Sequence, residues 1–215
     1  MGSAKGARSR PAPDPWDVAG WEQAYRTGEL PWDSDTPGRE LVRLVESGLV
    51  RPGRALDVGC GSGTNAVWLA REGFSVTGID LSAEAIRLAR AKAQAMEARV
   101  RFEVANLMDW KGAEASYDLV VDSGCFHSHA FAARRDLYAR KIRDLLAPDG
   151  RFFLQCFSPK EPGDWGPRRV PLAEIERAFT PLFDLLEIRH RMWRAIDERE
   201  GPWSWACLMR PVAER

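Results

Sequence analysis

The stretch ALDVGCGSGTN, residues 55–65, decides how the chain is read. A short apolar run, RALDV, meets three glycines at 59, 61 and 63, and a helical pattern follows in TNAVWLAREG. Glycines at a strand end let the backbone turn tightly and let a ligand approach without a Cβ in the way. The helix behind them turns free N–H groups and a positive dipole end toward that turn. In doubly wound folds this is where ligands bind, in the crevice at the carboxyl ends of the strands.

The periods on the C-terminal side repeat the unit. FSVTGID reads as a strand and SAEAIRLARAKAQAMEA as a helix, with Ala85, Ala89, Ala93 and Met96 in one stripe and Ile86 beside it. Ser82 is placed to cap that helix, with Glu84 favourable in its first turn. VRFEVA and YDLVVD are strands. FAARRDLYARKIRDLLAPDG is a helix from 131, with Leu137 or Tyr138, Ile142 and Leu145 inward, ended by PDG. RFFLQCFS is the fifth strand. Alternation at this spacing predicts an α/β, doubly wound, mainly parallel sheet with helices on both faces. The end differs. After the helix PLAEIERAF, the strands LFDLLEIRHRMW and WSWACLMR follow without a helix between them, which predicts an antiparallel hairpin at one edge.

Helical patterns at 16–30 and 39–50 precede the first strand, so 16–50 reads as an N-terminal helical cap. The expected organisation is one domain over 16–215 behind a disordered tail, 1–15. That tail has basic residues but no apolar h-region, so no secretory signal is expected.

Bulk composition excludes several functions. Lys plus Arg equals Asp plus Glu, 31 against 31, so no field steers the chain toward nucleic acid or an anionic membrane. No apolar run reaches the length of a membrane span. The cysteines, Cys60, Cys125, Cys156 and Cys207, are far apart with no C-x-x-C pair. No metal site is expected, and a reducing, cytoplasmic setting is.

The glycine loop narrows the ligand. The dinucleotide fingerprint is G-x-G-x-x-G, and here its sixth position is Thr64. A P-loop fails because no G-K-[ST] follows. Asp57 stands two positions before the first glycine, and Asp80 ends the second strand 23 residues later. A carboxylate at that strand end can accept both ribose hydroxyls of an adenosine. The pair points to an adenosine-type cofactor.

LDVGCGSGT, VTGIDLS, ANLMDW and YDLVVDSGCFH together resemble the class I S-adenosylmethionine-dependent methyltransferase superfamily. The resemblance covers most of the chain after Arg39. It implies seven strands in the order 3-2-1-4-5-7-6, the last antiparallel. It implies that Asp57 and the backbone of Gly59, Cys60 and Gly61 hold the amino-acid end of S-adenosyl-L-methionine, Asp80 the ribose, and Leu81 and Asn106 the adenine. Leu107 would offer its backbone N–H to an adenine ring nitrogen. Asn106 departs from the acidic residue common there, but its amide oxygen can still accept from the adenine amino group. GELPWDSDTPG resembles a segment of small thiopurine, tellurite-resistance and halide methyltransferases. That likeness puts Trp32 near the sulfonium, where an aromatic face favours a cation; Asp33 reads as a cap or brace of this loop. The product would be S-adenosyl-L-homocysteine, and the acceptor a small thiol, hydroxyl, amine or other soft nucleophile. The chain is expected to act as a monomer or weak homodimer without nucleic acid or membrane. The alternatives are an NAD-type oxidoreductase and a catalytically silent cofactor-binding protein.

SGCFHSHA, 123–130, follows the fourth strand and so lies beside the glycine loop. Ser123 and Gly124 would shape the wall near the cofactor's methionine part, and Cys125 would pack. His127 is the candidate catalytic residue, as a base or as a residue that orients the acceptor. His129 reads as structural, and His190 in the terminal hairpin could face solvent. SPKEPGDWGPRRVP, 158–171, follows the fifth strand at the same sheet edge and reads as a substrate lid, with Trp165, Arg168 and Arg169 available to an anionic substrate.

Overall fold

Strand β1, Arg54–Val58, is buried at every position after Arg54, as a strand with parallel partners on both sides must be. In the computed structural model, which describes residues 18–28, 30–128, 131–163, 166–193 and 201–213, it is the centre of the sheet. The helical cap, α1 (Val18–Thr27) and α2 (Arg39–Glu46), precedes it. Then follow α3 (Thr64–Arg71), β2 (Ser75–Asp80), α4 (Ala83–Ala95), β3 (Val100–Val104) and β4 (Tyr117–Ser123). The chain ends with α5 (Arg135–Leu145), β5 (Leu146–Phe157), α6 (Leu172–Phe179), β6 (Phe183–Met192) and β7 (Trp203–Pro211). The seven strands take the order β3-β2-β1-β4-β5-β7-β6. β7 is antiparallel to both neighbours, which leaves β6 running parallel to β5 at the edge. The C-terminal end of β6 and the start of β7 therefore reach the same sheet edge as the ends of β1, β2, β4 and β5.

Two apolar layers cover the sheet. Leu56, Val58, Val120, Phe152 and Leu154 pack with Tyr138, Ile142 and Phe179 from α5 and α6. The alternate residues Ala55, Val121 and Phe153 pack with Leu41, Leu69, Ile86 and Ala89 from α2, α3 and α4. The period of two along each strand produces this division.

Several local expectations are corrected. Met96 is not in the α4 stripe: the helix stops at Ala95 and Met96 is its 45% exposed C-cap. Ser82 does cap α4, accepting from the Ala85 N–H at 3.0 Å. α5 starts at Arg135 rather than 131, because 131–134 forms a tight turn that sets Phe131 edge-on to Tyr138. Tyr138, not the exposed Leu137, faces inward. PDG lies inside β5, where the pairing with β4 shifts register between Tyr117 and Leu119. The expected tail 1–15, and Trp16 and Asp17 of the cap, lie outside the described residues.

Gly63 shows how tightly the glycine turn is held. Its φ is +85°, and a Cβ there would lie 2.9 Å from the Ala89 Cβ and 3.0 Å from Phe102. Gly63→Ala should therefore destabilise the protein by about 2 kcal/mol or more, from strained φ and overpacking together. Urea midpoints of the two proteins check this.

Candidate active site

Three carboxylates stand at the ends of three neighbouring strands, Asp57 and Asp122 buried and Asp80 half-buried. Asp80 ties the glycine loop to β2. Its Oδ2 accepts the Gly61 N–H and its Oδ1 the Ser82 N–H, both at 2.9 Å. Asp122 organises the loop after β4, accepting the N–H groups of Cys125 at 2.7 Å and Phe126 at 2.9 Å, and the Tyr138 hydroxyl. Burial lifts its pKa to about 6 against those hydrogen bonds. Asp57 is different: its Oδ2 is buried and accepts no hydrogen bond among the described residues. Burial first, and then the charges of Asp122 and Asp80, push it up to about 8. An unsatisfied carboxylate beside two others is costly in a low-dielectric site. Such a cluster fits a ligand that brings positive charge and N–H or O–H donors.

The glycine loop exposes backbone to that cluster. Gly59 packs on Cys125, whose Cβ would lie 3.1 Å from a Cβ at 59. The Cys60 N–H donates to the Ile79 carbonyl, and its side chain is buried. Gly61 faces the cap: a Cβ there would lie 2.6 Å from the Tyr25 hydroxyl. Tyr25 thus lies against the glycine loop, a placement that the sequence patterns do not show. The aromatic crowding in 16–32 was visible, but which ring comes down on the loop depends on how α1 docks. That docking rests on Glu22, which accepts from the Ser82 hydroxyl at 2.6 Å and the Glu84 N–H at 3.2 Å. Trp32 stands one ring further out. It is 41% exposed, edge-on to Trp21 and Tyr25, with its indole N–H toward the Tyr25 hydroxyl at 3.4 Å. Asp33 braces the loop by accepting from the Ser62 hydroxyl at 2.8 Å. Lys92 joins the same knot, 2.9 Å from Ser62 Oγ and 3.2 Å from Asp35.

The other predicted residues are divided. Leu81 is half-buried beside Asp80, and Leu107 is buried in the core. Asn106 is exposed, and its amide oxygen accepts the Met108 N–H at 3.0 Å, closing a local turn. Ser123 ends β4, and the Gly124 N–H, at φ +105°, donates to the Gln155 carbonyl. His127 is buried with its Nδ1 accepting the Phe157 N–H at 3.1 Å. That bond places the ring proton on Nε2 in the neutral form. Nε2 would lie 3.4 Å from a Cβ at Gly124. His129 and Trp165 lie outside the described residues. His190 does not simply face solvent: it stacks on Trp205 at 4.3 Å and pairs with the Ser158 hydroxyl at 2.8 Å. Arg168 makes a two-bond pair with Glu174, and Arg169 donates to the carbonyls of Pro162 and Pro167. Both arginines are thus held by the chain's own acceptors. Among the described residues no group of three or more His, Cys, Asp or Glu is placed to hold a metal ion, and no helix is long and apolar enough to cross a membrane.

The comparisons with known proteins agree with this geometry. A family model for a methyltransferase domain matches residues 55–150. A probable thiol methyltransferase 2 of Arabidopsis thaliana is 31% identical over 172 residues, 79% of this chain and 75% of that protein. A 2-heptyl-1-hydroxyquinolin-4(1H)-one methyltransferase of Mycobacteroides abscessus is 31% identical over 179 residues, 78% of each. The solved structure of a Burkholderia thailandensis 1,6-didemethyltoxoflavin-N1-methyltransferase, with bound 1,6-didemethyltoxoflavin and S-adenosylhomocysteine, superposes with a TM-score of 0.69 at 26% identity, over 91% of this chain and 87% of that one. The chain belongs to the class I S-adenosylmethionine-dependent methyltransferase superfamily and is related to its thiol, thiocyanate and halide type of small-molecule enzymes. It is an enzyme that uses S-adenosylmethionine to methylate a small-molecule nucleophile. Methyl transfer thereby takes precedence over the NAD-type and silent-binder alternatives.

The raised acids make a pH prediction. A carboxyl whose pKa is higher in the folded than in the unfolded state stabilises the fold while protonated and loses that contribution as pH rises. The ligand-free protein should therefore lose stability between about pH 4 and about pH 8, with Asp57 governing the part above about pH 6. The slope there should approach about 1.4 kcal/mol per pH unit. Urea midpoints against pH should show the decline, and Asp57→Asn should flatten it between pH 6 and 8.

Proposed function

We propose that the carboxyl edge of β1, β2 and β4 is the cofactor seat and that the surface beside β5 and β6 receives the acceptor. The unpartnered Asp57 Oδ2 carries this reading. It is a buried acceptor next to a backbone that only glycine permits, and the ammonium of S-adenosylmethionine would satisfy it. Gly59, Cys60 and Gly61 bring their backbone against the methionine part, and Ser123 and Gly124 form its other wall. Asp80 takes the ribose hydroxyls while still holding Gly61, since each carboxylate oxygen has a second lone pair. Leu81, Leu107 and the second lone pair of the Asn106 amide oxygen meet the adenine. Tyr25 and Trp32 close the seat from the cap and exclude water. The rings also suit the sulfonium, with Tyr25 nearer the loop than Trp32.

When bound, the cofactor supplies a methyl group activated for in-line displacement. The chain's task is alignment. His127 is better suited to donate than to abstract: Nδ1 is engaged by Phe157, and Nε2 bears the proton. It would hold the acceptor atom by a hydrogen bond. The acceptor then arrives with its lone pair already available, as a thiolate or other soft anion does. The thiol methyltransferase relative supports that class.

The four cysteines are free, which suits the reducing cytoplasm proposed for the enzyme. A monomer or weak homodimer is the proposed state. Segment 158–171 remains the proposed lid over the acceptor.

Two substitutions test the assignments. Asp80→Ala should weaken S-adenosylhomocysteine binding at least about tenfold by calorimetry, the loss of hydrogen bonds to a charged group. His127→Gln, which keeps an N–H donor, should retain turnover with a thiol to within about tenfold. His127→Ala should lose about ten- to a hundredfold with cofactor affinity unchanged. Equal, larger losses in both variants would instead make His127 a base.

A further inference from the structure

Trp193 follows β6 directly and ends the stretch LFDLLEIRHRMW, to which the sequence assigned only a strand. Because β6 runs parallel to β5, its C-terminal end arrives at the ligand edge, although it lies 70 residues from the loop after β4. The half-buried indole comes down on Gly124, where its Cη2 would lie 3.3 Å from a Cβ. The same missing Cβ would lie 3.4 Å from His127 Nε2. Trp193 and His127 have ring centroids 5.9 Å apart, and Phe157 stands edge-on to both, at 5.9 and 4.9 Å. The Trp193 N–H donates to the Pro202 carbonyl at 2.6 Å, which fixes the ring's stem across the hairpin.

The charge of this half of the site differs from that of the cofactor half. At the ends of β1, β2 and β4 the charged side chains are the carboxylates of Asp57, Asp80 and Asp122. Around the aromatic trio stand two cations, Arg169 over Phe157 at 5.8 Å and Lys160 over Trp203 at 3.0 Å. Among the described residues, Glu161 is an acid on the same side, and it accepts the Trp203 backbone N–H at 2.7 Å. A cationic ligand is favoured on one side of Gly124, and a flat, electron-rich, anionic one on the other.

Building on the cofactor seat proposed above, we infer that Trp193 is the acceptor-specificity residue of this enzyme. Its indole, with Phe157 and His127, forms an aromatic wall that selects planar aromatic acceptors in their anionic form over small nucleophiles with the same reacting atom. The acceptor anion sits over Gly124 within reach of the His127 Nε2–H, and its ring lies against the indole. A lone pair of the acceptor forms the new bond to the methyl carbon as the carbon–sulfonium bond breaks. Its electron pair returns to the cofactor sulfur, and no proton moves in that step. One aromatic contact plus the area it buries supports a preference of about tenfold or more.

Thiophenol and hydrogen sulfide share the acceptor atom and differ in the ring, so they separate this selection from the chemistry. The wild-type enzyme should prefer thiophenol by at least about tenfold in kcat/KM. Trp193→Ala should lower that ratio about tenfold, mainly through the KM for thiophenol, while Trp193→Phe keeps most of it. S-adenosylhomocysteine should bind both variants as it binds the wild type, which also reports that they fold. Calorimetric titration of thiophenol into the wild-type S-adenosylhomocysteine complex should show saturable binding that Trp193→Ala weakens. An unchanged ratio in Trp193→Ala, no preference in the wild type, or no saturable thiophenol binding to the loaded wild type overturns the inference. Failure of the wild type to bind S-adenosylhomocysteine overturns the cofactor seat instead.

Discussion

The Asp80 carboxylate is the joint on which the site depends. By accepting the N–H groups of Gly61 and Ser82 it fastens the turn after β1 to the end of β2 and to the start of α4. Both strands enter this joint in register, with Val58 opposite Ile79. The Cys60 N–H adds a bond to the Ile79 carbonyl from the other side. Desolvation raises the pKa of this carboxylate, and the N–H donors around it oppose that shift. Here the donors are backbone groups of the loop that it shapes, so one set of bonds stabilises both the charge and the turn.

The cap is fastened to the same place. Glu22 reaches the Ser82 hydroxyl and the first turn of α4, while Asp33 and Lys92 hold the strap to Ser62 and Thr64. Tyr25 is buried between these two attachments, with its hydroxyl over Gly61. The seat thus has a floor of strand ends and glycine backbone, and a roof of aromatic rings. Desolvation by that roof strengthens the field of the three acids, which suits a cationic cofactor. On the far side of Gly124 the lining turns to aromatic rings, with an imidazole donor and two nearby cations. In the proposed arrangement the two sides of Gly124 thus differ in their electrostatic environment.

Most of the sheet was legible because strand and helix periods differ and alternate, and handedness and connection rules leave few topologies for such a chain. Local signals with a local cause also read correctly. Ser82 caps α4 because the cap bond spans three residues. Of the two roles open to Asp33, cap or brace, the bond from Ser62 selects the brace. Met96 failed because a stripe of spacing says where a helix face continues, not where the helix stops. PDG was assigned to a helix end because turn residues look alike whether they end a helix or bulge a strand. The two lid arginines looked available because Glu174 and the proline carbonyls become their partners only in three dimensions.

Strand–helix alternation by itself determined the fold class, and the glycine spacing with the acids at 57 and 80 the kind of cofactor. Each depends on backbone conformation or charge within one strand–turn–helix unit, and short range is written in order along the chain. Which nitrogen of His127 carries its proton, which aromatic ring covers Gly61, and that Trp193 reaches Gly124 were decided by tertiary structure alone. Those three facts join segments tens of residues apart. They arise from the pairing of β4 with β5, from the docking of α1 on α4, and from the parallel run of β6 with β5, which brings the end of β6 to the ligand edge. Long-range packing of this kind leaves no period or spacing in the sequence to read.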